Sequence, residues 1–392
     1  MLGAMSQPFA PAPRSLGRDA LVDELSRYLR PPGQGIHAVS TGRAELARQT
    51  AAYLGPSWNP EEPWRAHLAR ALDSLGAEST PVAMWAIPSD TGAGIVRGAA
   101  RGPEAIRAGL GQAPVVDLGD VFSIPQLLDE AMLAESQRHR CQDALWPDLP
   151  EARRRQLMVS PMGMAARARA LLLEAVPGLR LMTLGGDHTV SGPVLAPLLE
   201  AESAESRLDL GIVHFDAHTD LLPSRLGIDL CFATWAYHAN VALGGGERMI
   251  QLGIRASGRG RSHWEADLDV RQLWGDECEG VPGGELAARV VEHLRARGVT
   301  RVYLSNDIDG TDAHWAAACG TPEPGGLRPE QVEAVIRGVG ASFDVIGADL
   351  VELAPGLSLD VEASRRSVET AVRYTRESLA ALAGESSPKS SE

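Results

Sequence analysis

From residue 81 onward the chain alternates short, dense apolar runs with Gly-rich or polar turns and then helix-period stretches. This is the pattern of βα units around a mainly parallel sheet. The apolar runs lie at 82–87, 115–118, 180–184, 210–215, 249–254, 301–305 and 343–348. Runs of this kind predict strands buried on both faces, with polar chemistry just past their carboxyl ends, where open α/β sheets bind ligands. Before residue 81 the spacing is helical: Leu21, Leu25 and Leu29, then Ala44, Leu46, Ala47, Ala51 and Leu54, interrupted by Pro/Gly-rich connectors at 31–35 and 55–63. Residues 1–80 therefore read as a partly helical extension and 81–383 as the main domain. Residues 384–392, rich in Ser and Glu, read as a disordered tail.

Three of the predicted strands end in ionisable clusters. Leu184-Gly185-Gly186-Asp187-His188 uses a glycine pair for a tight turn that presents His188. In His214-Phe215-Asp216-Ala217-His218-Thr219-Asp220, the residues Asp216, His218 and Asp220 alternate, and a period of two places them on one side of an extended chain. Ser305-Asn306-Asp307-Ile308-Asp309 repeats the device with Asp307 and Asp309. A single Gly-Gly-Asp-His turn has an ordinary structural explanation, and a single Asp-x-Asp reads as a solvated strand end. Three such clusters at successive strand ends place four carboxylates and two imidazoles at one sheet edge, an expensive grouping without cations. Imidazole and carboxylate without thiolate favour first-row ions such as manganese, with nickel, iron or cobalt also accommodated. The excess of carboxylates favours two ions sharing a water activated to hydroxide.

Composition narrows the partners. Over 392 residues, 37 Lys+Arg against 51 Asp+Glu leave a formal net charge of −14, which repels a nucleic-acid backbone. Cys141, Cys231, Cys278 and Cys319 show no paired spacing, so neither a disulfide framework nor a cysteine zinc site is expected. The first residues, with prolines at 8, 11 and 13, lack a signal peptide's apolar core, and no run has the length of a membrane span. A cytoplasmic protein is the expectation. The remaining histidines His37, His67, His139, His263 and His293 read as ordinary surface or core residues.

The three clusters resemble the metal signatures of the ureohydrolases, the arginase and agmatinase family, in its agmatinase-like branch. Residues 98–107 (Gly-Ala-Ala-Arg-Gly-Pro-Glu-Ala-Ile-Arg), Asp117-Leu118-Gly119-Asp120 and the turn 320–326 (Gly-Thr-Pro-Glu-Pro-Gly-Gly) add to the likeness, which runs from about residue 81 to 374. The resemblance implies a three-layer αβα sandwich on a mainly parallel sheet. It implies hydrolysis of a guanidino compound to urea and an amine or ammonia by a metal-bridging hydroxide, and assembly as a homo-oligomer, a trimer or hexamer. Asp216 and Asp307 would bridge two divalent ions, with His188 and Asp220 completing one site and His218 and Asp309 the other. Residues 348–352 (Ala-Asp-Leu-Val-Glu) match the segment whose glutamate binds the guanidinium, which assigns that contact to Glu352; Asp220 would pass a proton to the leaving nitrogen.

The chain departs from the family at one place. The expected run resembles His-Gly-Thr-Met-Phe-Tyr-His-Ala, whereas residues 232–239 read Phe-Ala-Thr-Trp-Ala-Tyr-His-Ala. Phe232 thus stands where a proton-shuttling or substrate-contacting histidine is expected, and a phenyl ring neither transfers protons nor accepts a hydrogen bond. Phe232 and Trp235 are expected to line a greasier substrate pocket, and His238 reads as structural. Two alternatives accompany this reading: a formimino or amide C–N hydrolase of the same fold, and a non-catalytic metal-binding regulator.

Overall fold

The computed structural model describes residues 16–37, 64–201 and 206–385. Among the described residues nine strands form one sheet: β1 (Leu29–Arg30), β2 (Val82–Ile87), β3 (Val116–Val121), β4 (Arg180–Gly185), β5 (Leu210–Phe215), β6 (Met249–Ile254), β7 (Arg271–Trp274), β8 (Arg301–Asp307) and β9 (Asp344–Val351). Their order is β1-β3-β2-β4-β9-β8-β5-β6-β7, with only β1 antiparallel to its neighbour. Alternate strand residues enter two cores. On one face Leu181, Ile212, Met249 and Tyr303 pack with the helices Arg18–Tyr28, Trp64–Gly76, Pro161–Ala175 and Trp235–Leu243. On the other, Met182, Val213, Ile250 and Leu304 pack with Gly102–Leu110, Gly283–Ala296, Pro329–Gly340 and Val361–Ala383. The architecture is the expected three-layer αβα sandwich.

The chain passes from β4 to β5 across the places later filled by β9 and β8, so four central strands bring their carboxyl ends together at a switch point. Two elements differ from expectation. Leu29 does not continue the helical spacing of Leu21 and Leu25, because the helix stops at Tyr28 and Leu29 pairs with Val121 at the sheet edge. The strand β7, Arg-Gln-Leu-Trp, lacks an apolar run and was not foreseen; its register with β6 makes it a strand. The described part of the N-terminal extension shares a core with the main sheet: Leu21, Leu25, Leu68 and Leu72 lie in one cluster with Trp85 and Leu118. The helical pattern foreseen at 44–54 and residues 386–392 of the tail lie outside the described residues.

Candidate metal centre

His188 follows β4 directly, at a turn only glycine allows: a Cβ on Gly186 would run into the Ser89 carbonyl. Asp216, His218 and Asp220 follow β5, Asp307 ends β8, and Asp309 lies in the 3-10 turn beyond it. His188 Nδ1 lies 3.3 Å from Asp216 Oδ2, 3.2 Å from Asp220 Oδ2 and 3.2 Å from Asp307 Oδ2. His218 Nδ1 lies 3.4 Å from Asp216 Oδ1 and 3.2 Å from Asp309 Oδ2. The two oxygens of Asp216 therefore face two different imidazoles, and Asp216 belongs to both clusters that could hold an ion. Asp307 meets the first cluster through Oδ2, while the Asp309 amide donates to its Oδ1 at 2.9 Å. The second cluster is pinned by the Ala217 amide and the Thr321 hydroxyl, which donate to Asp309 at 3.0 and 2.9 Å. Its His218 side chain is 30% exposed, so the centre opens on that side.

A row of polar side chains crosses the sheet one pleat below the candidate ligands. Trp85, Thr183, Asp349, Ser305, His214, Gln251 and Gln272 are register partners on β2, β4, β9, β8, β5, β6 and β7, and all are buried. The hydrogen bonds along this row fix which ring nitrogens carry protons. Ser305 donates to Asp349 Oδ1 at 2.9 Å, so its oxygen accepts from His188 Nε2 at 3.0 Å and the lone pair of His188 is left on Nδ1. Asp349 also accepts from Ser191 and Tyr303, each at 2.8 Å. On the other flank the Trp274 indole donates to Gln272, Gln272 to Gln251, and Gln251 to His214 Nδ1, at 2.9, 2.7 and 2.8 Å. His214 must then donate from Nε2, and it does so to Asp216 Oδ2 at 2.8 Å. Its second bond, Gln251 to the Thr219 carbonyl at 2.7 Å, sets the amide orientation. His214, Ser305, Asp349, Gln251 and Gln272 were not singled out from sequence. The available signal was one polar residue inside each apolar run, two positions ahead of Asp216 and Asp307 on β5 and β8.

The donor set fits divalent cations. His188 Nδ1 is buried with no hydrogen-bond partner: three carboxylate oxygens crowd it, none aligned as an acceptor. A lone pair facing carboxylates is repulsive unless a cation sits between them. Burial opposes charge on His188, yet the carboxylates Asp216, Asp220 and Asp307 outweigh it and hold the imidazole well above its ordinary pKa. His218, also disfavoured by burial, is pushed up to about 12 by Asp216 and Asp309. Asp307 is raised well above the carboxylate range by burial and by Asp309 and Asp216. First-row ions bind such nitrogen and oxygen donors at about 2.1 Å, which spaces neighbouring donors about 3 Å apart, comparable to the separations above.

Two further residues carry backbone strain. Asp220 and Glu352 have φ of +52° and +64°, unusual for side-chain-bearing residues and typical of functional positions. Glu352 follows β9, and its Oε1 accepts the His188 amide at 2.9 Å. Burial, then Asp187, raises its carboxyl well above the usual range. Trp235, expected to line the pocket, is fully buried instead. Its ring lies 4.6 Å from His188 and 4.9 Å from His214, and its indole donates to Asp220 Oδ2 at 3.0 Å. Phe232 is partly exposed beneath the Arg225 guanidinium, and His238 bonds the Asp229 carbonyl at 2.8 Å.

Fold and centre together define an αβα protein with a buried carboxylate–imidazole cluster that could hold metal at the switch point of its sheet. Residues 80–380 match the Arginase family, and the chain belongs to that family. It is 31% identical over 284 residues to an agmatinase of Chromobacterium violaceum, covering 72% of this chain and 79% of that protein. A Pseudomonas aeruginosa guanidinobutyrase is 36% identical over 181 residues, 45% of this chain and 54% of the relative, so the chain spans about half the length of that relative. Among solved structures, proclavaminate amidino hydrolase from Streptomyces clavuligerus superposes with a TM-score of 0.56 at 25% identity, covering 76% of this chain and 92% of that one.

Proposed function

We propose that this chain hydrolyses a guanidino compound to urea and an amine or ammonia, with two divalent ions, manganese in the first instance, at the centre. The observation that carries the reading is Asp216, whose two oxygens serve two clusters, beside the orphaned Nδ1 of His188. Asp216 and Asp307 are assigned to both ions, His188 and Asp220 to one, and His218 and Asp309 to the other. When bound, the ions supply an activated water for attack on the guanidino carbon. Glu352 holds the guanidinium through charge-assisted hydrogen bonds, and an entering cation offsets the burial that raises its carboxyl. Asp220 carries a proton to the leaving nitrogen, its orientation set by the Trp235 indole.

Family membership and the agmatinase and guanidinobutyrase relatives support this reading. It includes a cytoplasmic homo-oligomer, trimer or hexamer; among the described residues no helix is long and apolar enough to cross a membrane. Phe232, in place of the expected histidine, is the observation that favours a metal-binding regulator or another C–N substrate. Metal analysis combined with urea release across guanidino and formimino compounds decides among them. About two ions per chain with urea produced supports the proposal; no divalent metal after reconstitution ends it.

A further inference from the structure

The segment between Asp220 and Trp235 forms a lobe whose ends are bonded together at the metal centre. The Tyr237 amide donates to the Asp220 carbonyl at 3.3 Å and the Leu222 amide to the Ala233 carbonyl at 3.1 Å, while the Trp235 indole holds Asp220 Oδ2. The lobe's tip is a tight turn. Arg225 and Ile228 exchange backbone hydrogen bonds of 2.9 Å in both directions, and Leu226 (φ +55°) and Gly227 (φ +78°) between them take left-handed backbone, the pattern of a type I′ turn. A leucine in that conformation is strained, and Leu226 is 96% exposed, so no packing repays it.

This turn fixes the base of Arg225, whose guanidinium lies 5.3 Å from the centre of the Phe232 ring. Among the described residues the Arg225 side chain makes no ion pair and no hydrogen bond. It is an exposed cation seated on an aromatic face, with its N–H donors free for a ligand. Burial raises the Cys231 thiol of the same lobe; Asp220 raises it further and Arg225 lowers it. The candidate ligands Asp216, Asp220, Asp307 and Asp309, with Glu352, give the centre its negative groups; Arg225 adds the opposite sign at the lobe that adjoins them.

We infer that Arg225 is a specificity residue whose guanidinium binds the carboxylate tail of an ω-guanidino acid while Glu352 holds the guanidino end. The inference rests on the guanidino-hydrolase reading and narrows its substrate class. A carboxylate matches the planar fork of an arginine, whereas the ammonium tail of a guanidino amine meets like charge. The phenyl ring at 232 then has a role that an imidazole would fill less well: it is the platform on which the cation is aimed.

Three compounds with the same four-carbon chain isolate the tail: 4-guanidinobutyrate, butylguanidine and agmatine. With the manganese-loaded full chain, kcat/KM should fall in that order. Arg225→Ala should lower the ratio of the acid to butylguanidine at least tenfold, equivalent to about 1.4 kcal/mol, mainly through KM. Arg225→Glu should place agmatine above the acid, and Phe232→Leu, which removes only the platform, should lower the ratio by a smaller factor. Agmatine preferred by the wild type, or a ratio unmoved by both Arg225 variants, overturns the inference. If none of the three compounds releases urea, the hydrolase reading fails, and calorimetric titration of 4-guanidinobutyrate and butylguanidine decides this one separately. An affinity advantage of the acid that disappears in Arg225→Ala supports it; equal affinities in the wild type overturn it.

Discussion

Beneath the candidate ligands, seven polar side chains on seven adjacent strands are buried in one row from Trp85 to Gln272, each in at least one hydrogen bond. Beside the centre, by contrast, the lobe after Asp220 exposes Arg225 and Leu226 on a strained turn and holds its cation with one aromatic ring. The floor has a single arrangement, because each donor has one acceptor and any unpaired group would bear its full desolvation cost. The lobe is specified by few contacts, so substitutions there carry little risk to folding. On the proposed function, the difference separates two tasks: the floor holds the candidate ligands in one tautomer and orientation, and the lobe discriminates among substrate tails.

The largest expected effect comes from the ligand both clusters share. Asp216→Ala should reduce bound metal from about two ions per chain to less than one and abolish urea release, measured by elemental analysis and a urea assay. Retention of two ions would remove Asp216 from its bridging place. Gln251→Leu attacks the floor without altering any of the six residues assigned to the ions. It strips the donor from His214 Nδ1, so metal affinity should weaken about 10- to 100-fold and stability should fall by about 1–3 kcal/mol. Metal titration and denaturant unfolding read these out. The order of preference among substrate tails should stay as in the wild type; a reordering would break the division between floor and lobe.

Glu352→Gln lies between the two regions. Metal content should remain intact while kcat/KM drops about tenfold or more, since a charge-assisted contact worth about 1.5–3 kcal/mol is weakened. Metal loss in this variant would make Glu352 a ligand instead. The smallest effect is expected for Phe232→His: with Asp220 available to move the proton, kcat for butylguanidine should change by less than about tenfold. A gain approaching the roughly 10²-fold of a general acid–base group would identify the phenyl ring as the bottleneck.

The segments that carry the candidate ligands are legible in the sequence because their residues lie close together along the chain. Asp216, His218 and Asp220 alternate within five consecutive positions, and the β5 and β6 runs were delimited at 210–215 and 249–254, as the structure has them. The floor was not legible for the opposite reason. Gln251 within Met-Ile-Gln-Leu-Gly-Ile, or Ser305 ahead of Asp307, reads singly as a polar interruption of an apolar run. Trp235 reads from sequence as a pocket wall; in the structure the helix it begins buries it, with its indole on Asp220.

The sequence by itself determined the parallel α/β grammar, the candidate ligand residues and the departure at Phe232, all of which depend on residues near one another along the chain. Tertiary structure alone decided that β4, β9, β8 and β5 would be neighbours, and with that order came the row that orients His188 and Asp216. It also decided that Arg225 would fold back onto Phe232, seven positions away, through the turn at Leu226 and Gly227. The physical reason is that alternation along a strand is set by backbone geometry within a few residues, whereas strand order and register follow from burying two faces of a whole sheet at once.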